Sequence, residues 1–203
     1  TSGAKISVGH MDVGKSKLFC YYQGAKGVSG DYFDCIKLDE KHYGIIKCDV
    51  SGKGANAALI AAIVATLFKA YFTNWNFKKN KYDLSTLAYK INDAVEQLNL
   101  KGKFAAYTLC IFNTETNDFY FCNAGDNIIN YYEAKSGKKK VITLPETPPA
   151  GPFPSFMIEM KNGYPVDKLH LEKDDVLFLF TDGIEEAKRL YKASAAYLYE
   201  LFR

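Results

Sequence analysis

The sequence predicts an α+β domain, most simply one in which helices pack on stacked antiparallel sheets. Three observations support this class: short apolar runs rich in β-branched and aromatic residues recur, turn-forming residues separate them, and longer helix-like segments interrupt the series. The chain has 203 residues, of which 48% are hydrophobic and 24% are charged, an ordinary globular composition. We therefore expect a single domain, residues 1–203, with one core.

Nine short segments are predicted to be β-strands. Turn signals such as Asn113–Asn117, Ser136–Gly137 and Lys161–Gly163 lie between them and favour antiparallel hairpins. In chain order, the nine segments are Leu18–Tyr22, Tyr32–Leu38, Tyr43–Cys48, Phe104–Phe112, Asp118–Asn123, Ile128–Tyr132, Lys139–Leu144, Lys168–Leu171 and Val176–Phe180.

Three longer segments are predicted to be helices. Ala55–Tyr71 is rich in alanine and apolar nearly all round, which predicts a helix buried on more than one side. After the polar link Thr73–Lys81, the segment Asp83–Leu100 has apolar residues at helical spacing. Ile184–Leu201 follows the last strand. The apolar residues of the first two helices allow two hypotheses, packing on the sheet or a homodimer formed through residues 55–100.

Charge and hydropathy argue against two classes of partner. The net charge is only +3, and of the 26 basic residues only Arg189 and Arg203 are arginine, the usual bidentate reader of phosphate and guanine. No uninterrupted apolar stretch reaches the roughly 18 residues of a membrane span. The longest, Ala55–Phe68, is too short and contains Asn56. We expect no nucleic-acid partner and no membrane segment in this chain.

The cysteines indicate a reducing compartment. There are five, an odd number, none forms a C-x-x-C pair, and each lies in an apolar run. This pattern is typical of buried free thiols. We therefore expect a cytoplasmic location.

Three short strings match the motifs of a GTPase. Gly9–Ser16 satisfies the P-loop pattern G-x-x-x-x-G-K-S/T, Asp49–Gly52 fits D-x-x-G, and Asn80–Asp83 fits N-K-x-D. A P-loop, however, must run from a buried strand into a helix whose N-terminus holds the phosphates. Lys17–Tyr22 follows the candidate loop and is typical of a strand. The GTPase is therefore kept only as a remote alternative.

Aspartates at the ends of predicted strands are a stronger signal. Asp31 stands at the start of one strand, Asp49 ends another and precedes the glycine-rich Ser51–Gly54, and Asp182 ends the last strand before Gly183. Several carboxylates without His or Cys partners form the hard oxygen site that suits Mg²⁺ or Mn²⁺. For each aspartate alone, an ordinary turn or helix cap is the alternative.

The aspartates lie within a series of five motifs that follow one another along the chain. The motifs are Ser29–Asp34, Asp49–Gly54 with Ala57–Leu59 behind it, Asn123–Gly125, Pro149–Gly151 and Asp174–Ala187. In this order, the motifs resemble those of the PPM (PP2C-type) serine/threonine phosphatases, specifically the bacterial branch of SpoIIE- and RsbU-type proteins. The resemblance covers about residues 18 to 188, nearly the whole chain.

The resemblance implies an αββα sandwich of two stacked, mainly antiparallel sheets flanked by helices, with two Mn²⁺ or Mg²⁺ ions between the sheet edges. It implies that Asp49 bridges both ions with help from the carbonyl of Val50, that Asp31 lies close to one ion, and that Asp182 ligates as well. These three aspartates would be the catalytic residues. Residues that would support them are Asp34, Gly52, Gly54, Asn123 and Gly183.

The implied activity is hydrolysis of phosphoserine or phosphothreonine on a regulatory partner protein, by a water that bridges the two ions. By the same resemblance, the partner would be an anti-sigma-factor antagonist. The alternative from another class is a catalytically inactive PPM-like domain that binds a partner or senses a signal.

Two departures from the family pattern bear on the site. The family usually has His after Asn-Ala-Gly, whereas this chain has Asp126, whose role stays open. The family also ends with a strand preceded by an Asp pair that completes the metal site. After Lys188 the only acidic residue is Glu200, and Asp174–Asp175 come too early to serve. We therefore expect the chain to lack the family's closing C-terminal segment.

Overall fold

The computed structural model describes residues 6–23, 30–126 and 128–183. Within these ranges, the chain forms ten strands and four helices. In chain order they are β1 (Ile6–Val13), β2 (Ser16–Gln23), β3 (Tyr32–Lys37), β4 (His42–Val50), α1 (Ala55–Thr73), α2 (Phe77–Asn80), α3 (Ser85–Gln97), β5 (Ala105–Asn113), β6 (Asp118–Ala124), β7 (Ile128–Glu133), β8 (Lys138–Thr143), α4 (Ser155–Glu159), β9 (Asp167–His170) and β10 (Val176–Phe178).

A five-stranded antiparallel sheet in the order β3-β4-β5-β6-β9 organises the molecule. Its central strands β4 and β5 are buried along nearly their whole length, because both faces of the sheet are covered. This burial explains why both read as almost continuous apolar runs. The register pairs Lys47 with Thr108 and Thr108 with Asn123, so these three residues share one face.

Helices α1 and α3 cover one face of this sheet. Alternate residues of β4, such as Ile46, Cys48 and Val50, point to that side and pack with the helices. The fully buried helix residues in this cluster include Ala57, Ile60, Val64, Phe68, Leu84, Leu87, Ala88 and Ile91. Most apolar residues that motivated the dimer hypothesis are therefore occupied in the core, while Leu59 stays half exposed.

The length of α1 corrects an expectation. The helix runs 19 residues to Thr73, five beyond Phe68, and is long and apolar enough by composition to cross a membrane. The argument that this segment is too short was therefore wrong, because Asn56 and Lys69 lie on its exposed side and do not interrupt the helix. Core helices of globular domains meet the same criterion, and α1 packs on β3, β4 and α3.

Two smaller sheets cover the opposite face. One is the hairpin β1-β2, and the other has the order β10-β7-β8. Their apolar residues, including Val13 and Ile129, form a second buried cluster with Tyr43, Ile45 and Phe112 of the large sheet. The predicted α+β class with stacked antiparallel sheets is thereby confirmed. The predicted helix Ile184–Leu201 lies outside the described residues.

The P-loop match is a β-hairpin. Gly9–Val13 belongs to β1, Ser16 begins β2, and Gly14 and Lys15 form the turn between them, with a φ of 65° at Gly14. A strand instead of a helix follows the turn, so the segment cannot present a helix N-terminus to a phosphate. The GTPase alternative is therefore wrong.

Candidate functional site

Asp31, Asp49 and Asp182 come together at one edge of the two stacked sheets. Asp49 is the next-to-last residue of β4, Asp31 directly precedes the neighbouring strand β3, and Asp182 follows β10. The Thr181 hydroxyl donates to Oδ2 of Asp31 at 3.1 Å, and the backbone N–H of Asp182 donates to the carboxylate of Asp49. These two hydrogen bonds connect the segment after β10 to the edge of the large sheet, where the other two aspartates lie.

The electrostatics of the cluster favour a bound cation. Burial, followed by the charges of Asp31 and Asp182, raises the pKa of Asp49 to about 6. Burial is also the main cause that raises the pKa of Asp31, and the charge of Asp182 adds to it. Carboxylates that are partly buried and close to one another are costly to keep ionised. A divalent cation would offset this repulsion.

The site offers carboxylate oxygens and a nearby backbone carbonyl as possible metal ligands. Hard divalent ions prefer such oxygen ligands. The geometry of the site is open. Among residues 6–23, 30–126 and 128–183, no three His, Cys, Asp or Glu side chains are gathered closely enough to hold one ion. The aspartates are thus close enough to shift one another's pKa, but their side chains do not converge on one position where an ion could be bound.

Gly30 allows the segment before Asp31 to approach the end of β4. A Cβ at this position would lie 2.9 Å from the carbonyl oxygen of Val50 and 3.2 Å from Cβ of Ala57. Only glycine fits this close backbone approach without a shift of its neighbours. The glycine directly before Asp31 was the available sequence signal, although it was not singled out as a site residue.

The loop after Asp49 depends on its two glycines. Gly52 and Gly54 have φ values of 81° and 86°, which side chains with a Cβ rarely adopt. Ser51 pairs with Phe104 through both backbone and side-chain hydrogen bonds of 2.9 Å. The loop thus turns from the end of the strand into the start of α1. The backbone conformation of this turn is sufficient reason for glycine at both positions.

Asp34 does not belong with the other aspartates. It accepts hydrogen bonds from the Tyr32 hydroxyl at 2.6 Å and the Cys35 backbone at 2.8 Å, and lies 3.3 Å from Nζ of Lys69 on α1. These partners place it on the helix side of the sheet, three residues from Asp31 and hence on the opposite face. This position favours a structural role near the start of β3 over a role in support of the other aspartates.

Asn123 supports a neighbouring loop. Its side-chain amide donates to Oγ1 of Thr147 at 3.0 Å, and the Thr147 hydroxyl donates back to the Asn123 carbonyl at 2.9 Å. The N–H of Gly125 donates to the Thr147 carbonyl, so the loop is fixed to the end of β6. Gly183 is exposed beside Asp182 at the end of the described residues.

An ion pair that the sequence did not reveal lies beside the cluster. Lys47, two residues before Asp49, is buried on the same sheet face and pairs with Asp126. The Thr108 hydroxyl donates to the same carboxylate oxygen of Asp126. The only sequence signal for this pair was a lysine inside an otherwise apolar strand. Its partner could not be predicted without knowing how the strands of the sheet are paired.

Comparison with known proteins identifies relatives. The family model for stage II sporulation protein E (SpoIIE) matches residues 39–201. The phosphoserine phosphatase RsbU of Bacillus subtilis is 26% identical over 166 residues, covering 81% of this chain and 45% of RsbU. The chain thus spans less than half the length of this curated relative.

Solved structures share the fold. The PP2C phosphatase domain of SpoIIE from Bacillus subtilis, solved with a fragment of its regulatory domain, has a TM-score of 0.61 at 18% identity, covering 93% of this chain and 49% of that one. The structure of RsbX in complex with magnesium has a TM-score of 0.60 at 18% identity, covering 89% and 78%. These similarities confirm the predicted PP2C-like α+β fold.

Proposed function

Because the chain belongs to the SpoIIE family, a branch of the PP2C-type (PPM) phosphatases, we propose that it is a metal-dependent protein serine/threonine phosphatase. The observation that carries the proposal is the meeting of Asp31, Asp49 and Asp182 from three separate strand ends, together with the raised pKa of Asp49. The substrate would be a phosphoserine or phosphothreonine on a regulatory partner protein.

In this proposal, the aspartates hold two Mn²⁺ or Mg²⁺ ions. Asp49 would hold the ions together with the Val50 carbonyl, and Asp31 and Asp182 would each contribute carboxylate oxygens. The magnesium complex of RsbX supports this choice of metal. When bound, such ions supply the Lewis acidity that activates water for attack on phosphorus and neutralises the phosphate oxygens.

The residues of the chain then have positioning tasks. Thr181 would orient Asp31 through its hydroxyl, and the N–H of Asp182 would orient Asp49. Gly30 would let the segment before Asp31 lie against the Val50 carbonyl. Such fixed orientation matters because misplacing a reacting group by about 1 Å can cost on the order of a hundredfold in rate.

The partner is proposed from the relatives. RsbU is named as a phosphoserine phosphatase, which supports a phosphoserine substrate for this chain. An anti-sigma-factor antagonist carrying the phosphoserine is the specific partner that we propose, with a cytoplasmic location. A homodimer through residues 55–100 stays a hypothesis, which light scattering at high protein concentration would test.

A second candidate function follows from two observations. The described carboxylates do not surround a single point, which favours an inactive PPM-like domain that binds a partner. Asp126 in place of the family's His points the same way.

The deciding experiment measures phosphate release from a phosphoserine peptide with and without millimolar Mn²⁺. We expect Mn²⁺-dependent release by the wild type and its loss in Asp49→Asn. Asp34→Asn is the matched control, because it removes a carboxylate from the neighbouring strand on the opposite face and should leave release intact. Mn²⁺ binding without release would favour the inactive domain.

A further inference from the structure

Lys47 carries a buried charge next to the aspartate cluster. Its side chain is only 8% exposed, and it shares a sheet face with Asp49 because the two are two residues apart on β4. Its ammonium pairs with Asp126, whose side chain is 19% exposed and accepts a further hydrogen bond from Thr108. The ammonium is thus enclosed between the sheet and one carboxylate.

The same ammonium acts on the cluster. Its charge lowers the pKa of both Asp31 and Asp49, opposing part of the effect of burial. The Lys47 ammonium is therefore a positive charge of the protein itself that is close enough to act on the two aspartates. An unpaired buried charge costs several kcal/mol, so the ammonium requires a carboxylate partner. Asp126 is the partner that it has.

We infer that the Lys47–Asp126 ion pair sets the affinity of the aspartate cluster for divalent cations. Asp126 holds the ammonium and offsets most of its charge, so that Lys47 does not pair with Asp31 and Asp49 and repels an ion bound to them only weakly. The inference rests on the proposed function only in that Asp31 and Asp49 bind the metal. It also assigns a role to Asp126, the residue that departs from the family pattern.

The inference predicts effects of opposite sign for the two partners. Asp126→Asn leaves an uncompensated ammonium within electrostatic reach of the aspartates. A nearby charge shifts the pKa of a carboxyl group by roughly 1–3 units, so we expect Mn²⁺ affinity to fall by about tenfold or more. Lys47→Met removes this positive charge at similar volume and should raise the affinity by about tenfold. The double variant, with neutral groups at both positions, should bind within about threefold of wild type.

The experiment is calorimetric titration of Mn²⁺ into each purified chain, with thermal melting in EDTA to verify folding. The matched controls are Lys168→Met and Asp118→Asn, which break an ion pair of 2.9 Å at the far end of β6, about 20 Å along the strand. These controls change the net charge equally and should leave the Mn²⁺ affinity unchanged. If Asp126→Asn does not fold, Lys47→Met and the double variant decide.

Opposite shifts in the two single variants would support the inference. Weaker binding in both would indicate a merely structural pair and overturn it, as would unchanged affinity in Lys47→Met. Absence of Mn²⁺ binding by the wild type would overturn both the inference and the metal site of the proposed function. Opposite shifts without phosphate release would leave the inference standing and contradict the phosphatase alone.

Discussion

The hydroxyl of Thr181 donates a hydrogen bond of 3.1 Å to Oδ2 of Asp31, joining two residues that are 150 positions apart in the chain. This bond connects the segment that follows β10, a strand of the three-stranded sheet, to the start of β3 at the edge of the large sheet. The relative position of the two sheets at the site therefore depends partly on one hydroxyl group.

Thr181→Val removes this hydroxyl while keeping the size and branching of the side chain. A hydrogen bond to a charged group contributes about 1.5–3 kcal/mol, so we expect Mn²⁺-dependent phosphate release to fall by about tenfold or more. Because Thr181 is not fully buried, the melting temperature should fall by only a few degrees, at about 2–4 °C for each kcal/mol lost. Thr66→Val in α1, which removes an exposed hydroxyl bonded to Ala62, is the control. Equal losses in both variants would contradict the prediction.

Gly30→Ala tests the close approach of the Asp31 segment to β4. The new Cβ would lie 2.9 Å from the Val50 carbonyl oxygen, which must then move. Such overpacking costs about 1–3 kcal/mol, measured as a lower free energy of unfolding in urea. Gly183→Ala, whose Cβ would have its nearest neighbour at 3.7 Å, should change this quantity far less. If Gly30→Ala has the same free energy of unfolding as the wild type, the close approach of this segment to β4 does not require glycine.

Local patterns were enough to predict the strands of the large sheet and the positions of three aspartates at strand ends. The strand ending at Asp49 could be recognised because a short apolar run stops at a carboxylate followed by glycines, and the same holds for Asp182. Asp34 was named as a weaker candidate for the site, although the two-residue period of a strand already puts it on the opposite face from Asp31. The same period favours the other interpretation of Asp34, a structural residue near the strand end.

Other features depend on contacts between distant strands. Lys47 meets Asp126 only because β4, β5 and β6 pair in one register, and hydrophobic periodicity contains no information on such partners. Strand β1 was missed because Gly9, His10 and Asp12 break its apolar pattern. Its pairing with β2, a tertiary effect, outweighs the weak local preference.

Asp49→Asn should stabilise the metal-free chain. In EDTA at a pH above about 6, where Asp49 is ionised, the variant lacks a carboxylate that burial and the charges of Asp31 and Asp182 disfavour. Because solvent screens a half-exposed group, we expect a gain of only about 1 kcal/mol in the free energy of unfolding. Adding Mn²⁺ should raise the melting temperature of the wild type and not that of the variant, since ligand binding stabilises only the chain that binds. If the variant is less stable than the wild type in EDTA, repulsion among the three carboxylates does not destabilise the metal-free chain.

Asp118 should contribute a pH-dependent part of the stability. Burial alone would raise its pKa, but hydrogen bonds from Lys168 and His170, both at 2.9 Å, lower it overall. A carboxyl group with a lowered folded-state pKa stabilises the fold above its unfolded pKa of about 4, and this stabilisation is lost as the pH falls through the folded value. The wild type should therefore exceed Asp118→Asn in urea unfolding at neutral pH, and the difference should shrink below about pH 4. A constant difference would show that ionisation of Asp118 does not contribute.

Asn92 should be the main anchor of the segment that leads to α4. Its side chain is fully buried and makes three hydrogen bonds: it donates to the Phe153 carbonyl and the Ser155 hydroxyl at 3.0 Å and accepts from the Gly151 N–H at 2.9 Å. Asn92→Leu keeps the volume and leaves these groups without their partner, at about 1–3 kcal/mol for each buried group that water cannot reach.

We expect Asn92→Leu to lower the free energy of unfolding by about 2–4 kcal/mol in urea. Limited proteolysis should cut faster near Phe156 and Met160, which are already exposed. Asn56→Leu on the exposed side of α1 makes the same chemical change without a buried network and should leave both measurements near wild type. Equal proteolysis rates in the two variants would mean that the segment is held by its apolar contacts, such as Ile158 in the core, and not by the amide.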